Sequence, residues 1–136
     1  MGYKFLEHTA DIMFEAEGKT KEELFIECSK ALNETIYGDI NIVEQIVKKI
    51  EIKAEDLEGL LYKFLEEFLF LLDAEGLIFK KIQNLKIDEN NFSLTATLKG
   101  DKAENYHFTN DVKAITSNNL KIEKQKLYKS TMVLDV

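Results

Sequence analysis

Hydrophobic residues along this chain recur with two periods, one of about 3.6 residues and one of two, which distinguish helical from extended segments. The first helical segment follows Thr20, and Glu23 three residues later completes a capping-box pattern. Small or apolar residues then recur at helical spacing until Gly38, a typical helix stop. These residues are Leu24, Cys28, Ala31, Leu32 and Thr35. The pattern predicts a first helix between Thr20 and Gly38.

A second helical segment follows Asp56, whose carboxylate can cap a helix N-terminus. Its apolar positions form one broad face, and Gly76 ends the pattern. The positions on this face are Leu57, Leu60, Leu61, Phe64, Leu65, Phe68, Leu69 and Leu72. We predict that this second helix is central to the hydrophobic core.

The segments with period two predict strands. They are residues 3–7, 12–17, 47–54, 78–87, 92–99, 112–116, 120–124 and 126–136. A polar cluster at 88–91 predicts a hairpin turn between two of them. The element order is therefore strand, strand, helix, strand, helix and then a run of strands. We predict an α+β fold in one two-layer domain spanning 1–136, with two helices packed on a largely antiparallel sheet.

The most informative feature of the composition is its charge. The 136 residues include 25 acidic and 18 basic side chains, for a formal net charge of −7 at pH 7, and every basic residue is a lysine. An acidic surface repels a polyanion, and arginine is the usual residue for bidentate phosphate and base recognition. We therefore do not expect tight direct binding of RNA. The hydrophobic fraction of 45% is sufficient for one core.

The single cysteine and the apolar segments indicate the cellular compartment. Cys28 cannot form an internal disulfide, and its place in the first predicted helix favours a buried, unreactive side chain. No charged-then-apolar leader opens the sequence, and the most apolar segment, 57–72, carries Lys63, Glu66 and Glu67. We expect neither a signal peptide nor a membrane span, and hence a cytoplasmic location.

Sequence motifs for familiar enzyme classes are missing. The chain has no glycine-rich nucleotide motif, no nucleophile elbow and no paired cysteine or histidine residues at zinc-finger spacing. His8 and His107 fall in different predicted segments, so a histidine-based zinc site would need further ligands. Any bound metal is therefore expected to be a hard cation held by oxygen atoms.

Two places offer such oxygens. Asp11 closes the turn 8–11 between the first two predicted strands, where it could reach a metal while His8 braces the loop. An aspartate in such a turn also commonly bonds its own backbone, which is the alternative for Asp11. Asp135 and the carboxylate of Val136 lie together at the end of the last predicted strand. If that strand lies beside the first, these groups can converge on a cation; the alternative is a frayed end with solvated charges.

Lys113 lies between apolar residues of the predicted strand 112–116. Lysine is suited to pairing with a phosphate as a point charge. A single lysine on a strand is more commonly just solvated, and composition does not distinguish Lys113 from the other lysines.

Three blocks of sequence resemble the archease family. They are His-Thr-Ala-Asp at 8–11 with the strand and capped helix that follow, Val-Lys-Ala-Ile-Thr at 112–116, and Val-Leu-Asp-Val at 133–136. Their order and the chain length extend the resemblance over nearly the whole chain. One departure is the pair Ser117 and Asn118, where many family members have an aromatic residue and a histidine. Asn118 does not titrate near neutral pH, so no acid-base role is assigned to this pair.

The resemblance implies roles for particular residues. Asp11 and Asp135 match the acidic metal-site positions of the family, and Val136 would add a terminal or backbone oxygen. Lys113 matches a functionally important lysine. His8 belongs to the first block without a defined role.

The resemblance also implies an accessory protein rather than an enzyme. Such a protein promotes guanylylation of the catalytic histidine of an RtcB-type RNA ligase in tRNA splicing, supports multiple turnover and broadens nucleotide use. The implied cofactor is an oxygen-ligated divalent ion: calcium, magnesium or manganese. The implied partner is the ligase. RNA and GTP would be contacted only indirectly, through the ligase. We expect a monomer or weak oligomer.

Two alternatives remain open at this point. The first is a chaperone-like interaction module that binds the same partner without holding a metal of its own. The second is a stand-alone metal-dependent phosphohydrolase that uses Asp11 and Asp135. The metal affinity of the isolated protein tests the first, and nucleotide turnover without a ligase tests the second.

Overall fold

The computed structural model describes residues 2–6, 11–109, 112–116 and 120–136. Within these ranges the chain forms two α-helices, eight strands and one short 3-10 helix. The helices are α1 (Lys21–Tyr37) and α2 (Leu57–Glu75), and the 3-10 helix is Ala103–Asn105. The strands are β1 (Gly2–Leu6), β2 (Ile12–Gly18), β3 (Ile46–Lys53), β4 (Leu77–Asp88), β5 (Ser93–Lys102), β6 (Ala114–Thr116), β7 (Ile122–Lys124) and β8 (Tyr128–Asp135). The predicted α+β class is confirmed.

Both helices begin at the residues that the sequence predicts as caps. The Thr20 hydroxyl accepts a hydrogen bond from the Glu23 backbone N–H at 3.1 Å. The Glu23 carboxylate accepts one from the Lys19 N–H at 2.8 Å, so the reciprocal bond of the capping box reaches one residue beyond Thr20. Asp56 caps α2 by accepting a backbone N–H at 2.6 Å. Gly76 ends α2 in the left-handed conformation, with φ of 65°.

The strands divide between two antiparallel sheets rather than forming the expected one. The larger sheet has the order β1-β2-β8-β6, and β7 also pairs with β8. The smaller sheet has the order β3-β5-β4. The predicted hairpin joins β4 to β5, and its turn is stabilised by the Asp88 carboxylate, which accepts the Asn90 N–H at 3.0 Å.

The strands of the last third are shorter than predicted. β6 begins at Ala114, so Lys113 lies just before the strand rather than within it. β7 begins at Ile122, and β8 begins only at Tyr128. The residues between β7 and β8 form a tight turn, in which the Gln125 N–H donates to the Leu127 carbonyl at 3.1 Å. This turn takes up residues that alternation alone assigns to the last strand.

The helices cover one face of each sheet. α1 packs on β1, β2, β4 and β8, and α2 packs on β3, β4 and β6. Buried residues from both helices and both sheets form one hydrophobic core. Cys28 lies in this core as predicted, and burial raises the pKa of its thiol well above the usual value. In the ranges described above, no helix is both long and apolar enough to cross a membrane.

Candidate functional site

One end of the larger sheet brings together residues that are far apart in the sequence. β2 pairs with β8 so that Ile12 lies opposite Leu134, and β6 pairs with β8 so that Ala114 lies opposite Asp135. Asp11 immediately precedes Ile12, and extending the register by one residue sets it opposite Asp135. The last strand thus lies beside β2 rather than beside the first strand, which corrects the expected arrangement. The convergence of the two aspartates does not depend on that difference, because Asp11 leads directly into β2.

Strand alternation determines the face on which these carboxylates lie. Along β8, the buried residues Ser130, Met132 and Leu134 alternate with more exposed residues, of which Asp135 is the last. Asp135 therefore belongs to the face turned away from the helices. Extending the alternation of β2 by one residue assigns Asp11 to the same face. Both carboxylates are on the solvent side of the sheet at its end.

Lys113 is attached to this strand end through its backbone. Its N–H donates a 2.7 Å hydrogen bond to the Asp135 carbonyl oxygen, and its side chain is exposed. Among the residues whose structure is described, no carboxylate forms an ion pair with the Lys113 ammonium group. The lysine is therefore bonded to the backbone of Asp135, and no described carboxylate neutralises its cationic group.

Neither carboxylate is held by another described side chain. Asp135 is exposed and Asp11 is half-buried, and neither side chain has a hydrogen-bond donor within the described ranges. Ala114 lies directly opposite Asp135 and contributes only a methyl group beside that carboxylate. Ala114 was not predicted as a site residue. The signal that reveals it is the alternation within 112–116 combined with the register on β8.

Other residues singled out from the sequence lie elsewhere or cannot be assessed. His8 is outside the described residues, as are Ser117 and Asn118. His107 is exposed and follows the 3-10 helix, in a segment that contributes no residue to the strand end. His107 therefore does not add to the geometry of the site, and the prediction for His8 lies outside the described residues.

The donor set at the strand end is compatible with a hard divalent cation. Two carboxylates and a main-chain oxygen of Val136 are oxygen ligands of the type that calcium and magnesium prefer. In the described part of the chain, no three His, Cys, Asp or Glu side chains are grouped as a complete metal site would require. These residues would thus supply about half of the six ligands of an octahedral ion. Such a partial set suits an ion that shares its remaining positions with water or phosphate oxygens.

The fold and this strand end define a small α+β protein with an acidic site and no recognised catalytic motif. Residues 3–136 match the Archease protein family (MTH1598/TM1083). The chain is 34% identical over 139 residues to a protein archease of Methanosarcina barkeri, with 98% of this chain and 95% of the relative covered. It is 39% identical over 126 residues to a protein archease of Pyrococcus abyssi, with 90% and 88% covered.

A solved structure is also similar to this chain over its length. The solution structure of Methanobacterium thermoautotrophicum protein 1598 matches with a TM-score of 0.82 at 33% identity, and the match covers 99% of each chain. The chain belongs to the archease family, as its three sequence blocks predict.

Proposed function

We propose that this chain is an accessory activator of an RtcB-type RNA ligase in tRNA splicing, which promotes guanylylation of the catalytic histidine of the ligase and supports multiple turnover. Membership of the archease family supports the proposal. The observation that carries it is that Lys113 bonds to the backbone of Asp135 at the end of β8, while Asp11 directly precedes the strand β2 that pairs with β8. One residue from each of the three sequence blocks would then belong to one charged surface, which a partner can contact in a single docking event.

The chemistry of guanylylation explains why such a surface would help. A bond forms between the histidine nitrogen and the α-phosphorus of GTP while the bond to the pyrophosphate oxygen breaks. The phosphate charge must be neutralised, and the attacking nitrogen must be aligned with the leaving group. A positively charged group close to the phosphates lowers the barrier to this transfer.

The residues of the strand end would divide this task. Asp11, Asp135 and a main-chain oxygen of Val136 would hold a divalent ion, for which calcium, magnesium and manganese are all suitable. When bound, the ion would supply charge to neutralise phosphate oxygens. Lys113 would contact a phosphate or an acidic group of the ligase as a point charge.

In this proposal the ligase supplies the nucleophile and the nucleotide pocket, and the chain supplies charge and position. The only cysteine, Cys28, is fully buried and the pKa of its thiol is raised, so it is unsuited to covalent catalysis. GTP would be met only in the complex with the ligase. The chain is thus a cofactor protein and not itself an enzyme.

The direct test is formation of the ligase–guanylate adduct from labelled GTP, with and without this protein, at limiting metal concentration. We expect faster adduct formation and continued turnover of RNA ligation when the protein is present. An unchanged ligase rate would refute the proposal. Nucleotide hydrolysis by the isolated chain would favour the phosphohydrolase, and activation without any metal affinity of the chain would favour the interaction module.

A further inference from the structure

The smaller sheet carries a second charged surface, on its face away from the helices. Along β3, buried Ile50 and Ile52 alternate with exposed residues, and along β5 buried Leu94 and Leu98 alternate with exposed Thr95 and with half-buried Thr97 and Lys99. The exposed positions and their partners on β4 include five lysines. These are Lys49, Lys53, Lys81, Lys86 and Lys99. We refer to these five residues as the lysine face.

The register of the sheet arranges these lysines in successive rows. The central strand is β5, and each row pairs one of its residues with a lysine of β3 or β4. The pairs are Lys81–Lys99, Lys49–Thr97, Lys86–Thr95 and Lys53–Ser93. Rows are two residues apart, which corresponds to about 6.6 Å at about 3.3 Å per residue. Each row therefore contains at least one ammonium group, and three of the four rows also contain a hydroxyl group.

The lysine face is locally basic in an acidic protein. The exposed strand positions of the face carry two carboxylates, Glu51 and Asp88, and Glu44 lies beside Lys81, so the five lysines exceed these three carboxylates by two while the chain carries −7. Lys81 forms an ion pair with Glu44 at 3.7 Å. Within the described residues, the other four lysine side chains of the face form no ion pair. Their charges are available to an anionic ligand.

A shallow groove runs across this face. Its volume is about 480 Å³, and its lining includes Lys49, Lys86, Thr95 and Thr97. It lies where β4 loses register with β5 between Gln83 and Lys86, and Asn84 within that irregularity has φ of 54°. Asparagine is one of the few residues that tolerate this left-handed conformation. The bulge thus lies between Lys86 and the regular part of β4, and Asn84 contributes to the lining of the groove.

We propose that the lysine face binds the phosphodiester backbone of single-stranded RNA without regard to base sequence. Lysine, threonine and serine side chains are groups that contact phosphate oxygens in nucleic-acid complexes. The strand positions of this face include no aromatic residue for base stacking, so the affinity is modest and no base is read. The expectation against tight RNA binding rested on the absence of arginine and on the net charge. Lysine contacts phosphate as a point charge, and the net charge averages over all faces of the molecule.

A protein partner fits this surface less well. Interfaces between proteins are depleted in lysine and enriched in aromatic residues, methionine and arginine. The lysine face has the opposite composition, with five lysines and no aromatic residue at its strand positions. It also belongs to a different sheet from Asp11 and Asp135, so the inference does not rest on the proposed ligase activation.

The test is fluorescence anisotropy with a labelled oligouridylate of about 20 nucleotides, long enough to cross the face. The variant Lys49→Gln/Lys86→Gln/Lys99→Gln removes the central charges of the face. A matched control, Lys19→Gln/Lys102→Gln/Lys126→Gln, removes the same charge from exposed lysines elsewhere. Wild type is expected to bind with a Kd on the order of 10–100 µM at low salt.

The face variant should bind RNA at least about tenfold more weakly. The slope of the logarithm of the binding constant against the logarithm of the salt concentration should become shallower by about two, because each lost phosphate contact accounts for about 0.7. The control should remain within about twofold of wild type, and all three proteins should have similar melting temperatures. Absence of binding by wild type at low salt, or an equal loss in both variants, would overturn the proposal. Tighter binding of polyglutamate than of oligouridylate, dependent on the same lysines, would overturn it in favour of an acidic protein partner.

Discussion

Two aspartates near the ends of long strands, one in each sheet, have opposite surroundings. Asp101 of β5 is buried, and its carboxylate accepts hydrogen bonds from the Lys102 N–H and the Tyr106 hydroxyl, both at 2.8 Å, and from the Asn105 amide at 3.3 Å. Asp135 of β8 is exposed, and its side chain has no donor within the described residues. Asp101 is satisfied by its own fold, whereas no described residue donates a hydrogen bond to the Asp135 carboxylate.

The contacts of Asp101 continue into a second part of the chain. The Tyr106 hydroxyl that donates to Asp101 also accepts the Val43 N–H at 2.8 Å, from the segment that leads into β3. Asp101 thus fixes the 3-10 helix region and the approach to β3 through one tyrosine. This comparison suggests a general criterion. A strand-end carboxylate is a candidate ligand when the fold leaves it without donors, and a structural residue when the fold supplies them.

The largest effect should follow from removing the available carboxylates. We expect Asp11→Ala and Asp135→Ala each to slow ligase guanylylation by about a hundredfold or more, equivalent to about 2.7 kcal/mol, because each change removes an ion ligand. The measurement is the rate of adduct formation at limiting metal, with folding checked by circular dichroism. Asp73→Ala, at an exposed position of α2, is the control. If both variants activate the ligase as well as this control, neither aspartate takes part in the mechanism.

The same carboxylates should link metal binding to stability. A divalent ion present at about 100 times its Kd adds about 2.7 kcal/mol to the free energy of unfolding, which raises the melting temperature by several degrees. We expect this shift with calcium, magnesium or manganese, and its reversal by a chelator. The double variant Asp11→Ala/Asp135→Ala should lose the shift, while Asp101→Asn should retain it. An equal shift in melting temperature in the double variant would show that the ion binds at another site.

Lys113→Ala should have a smaller effect on the same reaction. If the lysine contacts a phosphate or an acidic group, its loss should slow adduct formation by about tenfold, equivalent to about 1.4 kcal/mol, without changing the metal-induced shift in melting temperature. Lys113→Arg preserves the charge and should retain partial activity. Lys102→Ala, at an exposed lysine elsewhere, should behave as wild type. Equal activation by Lys113→Ala and Lys102→Ala would show that Lys113 has no functional role.

The predictable part of the fold is the part that local signals determine. The caps Thr20 and Asp56 act within four residues, and helical spacing of apolar residues is visible in any short window. Strand alternation identifies a strand but contains no information on its neighbour, because the apolar face is the same whichever partner it has. The division into two sheets and the placement of β8 beside β2 are therefore outcomes of long-range pairing that the sequence pattern does not encode.

The candidate site shows the same limit. Asp11 and Asp135 were predicted as oxygen donors from their positions at predicted strand ends, and family resemblance then implied their metal-site role. Lys113 was identified through family resemblance alone, since nothing in its local sequence distinguishes it from the other lysines. Their spatial relation comes from the register on β8, which also reveals Ala114. The lysine face was not predicted from the sequence, although Lys49 and Lys53 lie on one face of β3, because the net charge of the chain has the opposite sign. Charge must be assigned to individual faces before it indicates a partner.

The smallest expected effect is the pH dependence that Asp101 adds to stability. The Lys102 N–H, followed by the Tyr106 hydroxyl, holds the pKa of Asp101 below its usual value, because both donors favour the ionised carboxylate. A carboxyl group whose pKa is lower in the folded state stabilises the protein above its unfolded-state pKa, and this contribution is lost as pH falls through the folded-state pKa. Asp101→Asn should therefore melt below wild type at neutral pH, and the gap should narrow below about pH 4, where the unfolded aspartate titrates.

Thermal unfolding between neutral and acidic pH measures this gap, with Asp73→Asn as a control for an exposed aspartate. The control should differ little from wild type across the whole range. Asp101→Asn should also activate the ligase normally at neutral pH, in contrast to the Asp135 variant, because its carboxylate binds only groups of its own chain. A gap that stays constant at every pH would show that the charge of Asp101 contributes nothing beyond neutral hydrogen bonds. The contrast between the two aspartates would then rest on burial alone, because Asp101 is buried in the fold and Asp135 is open to solvent.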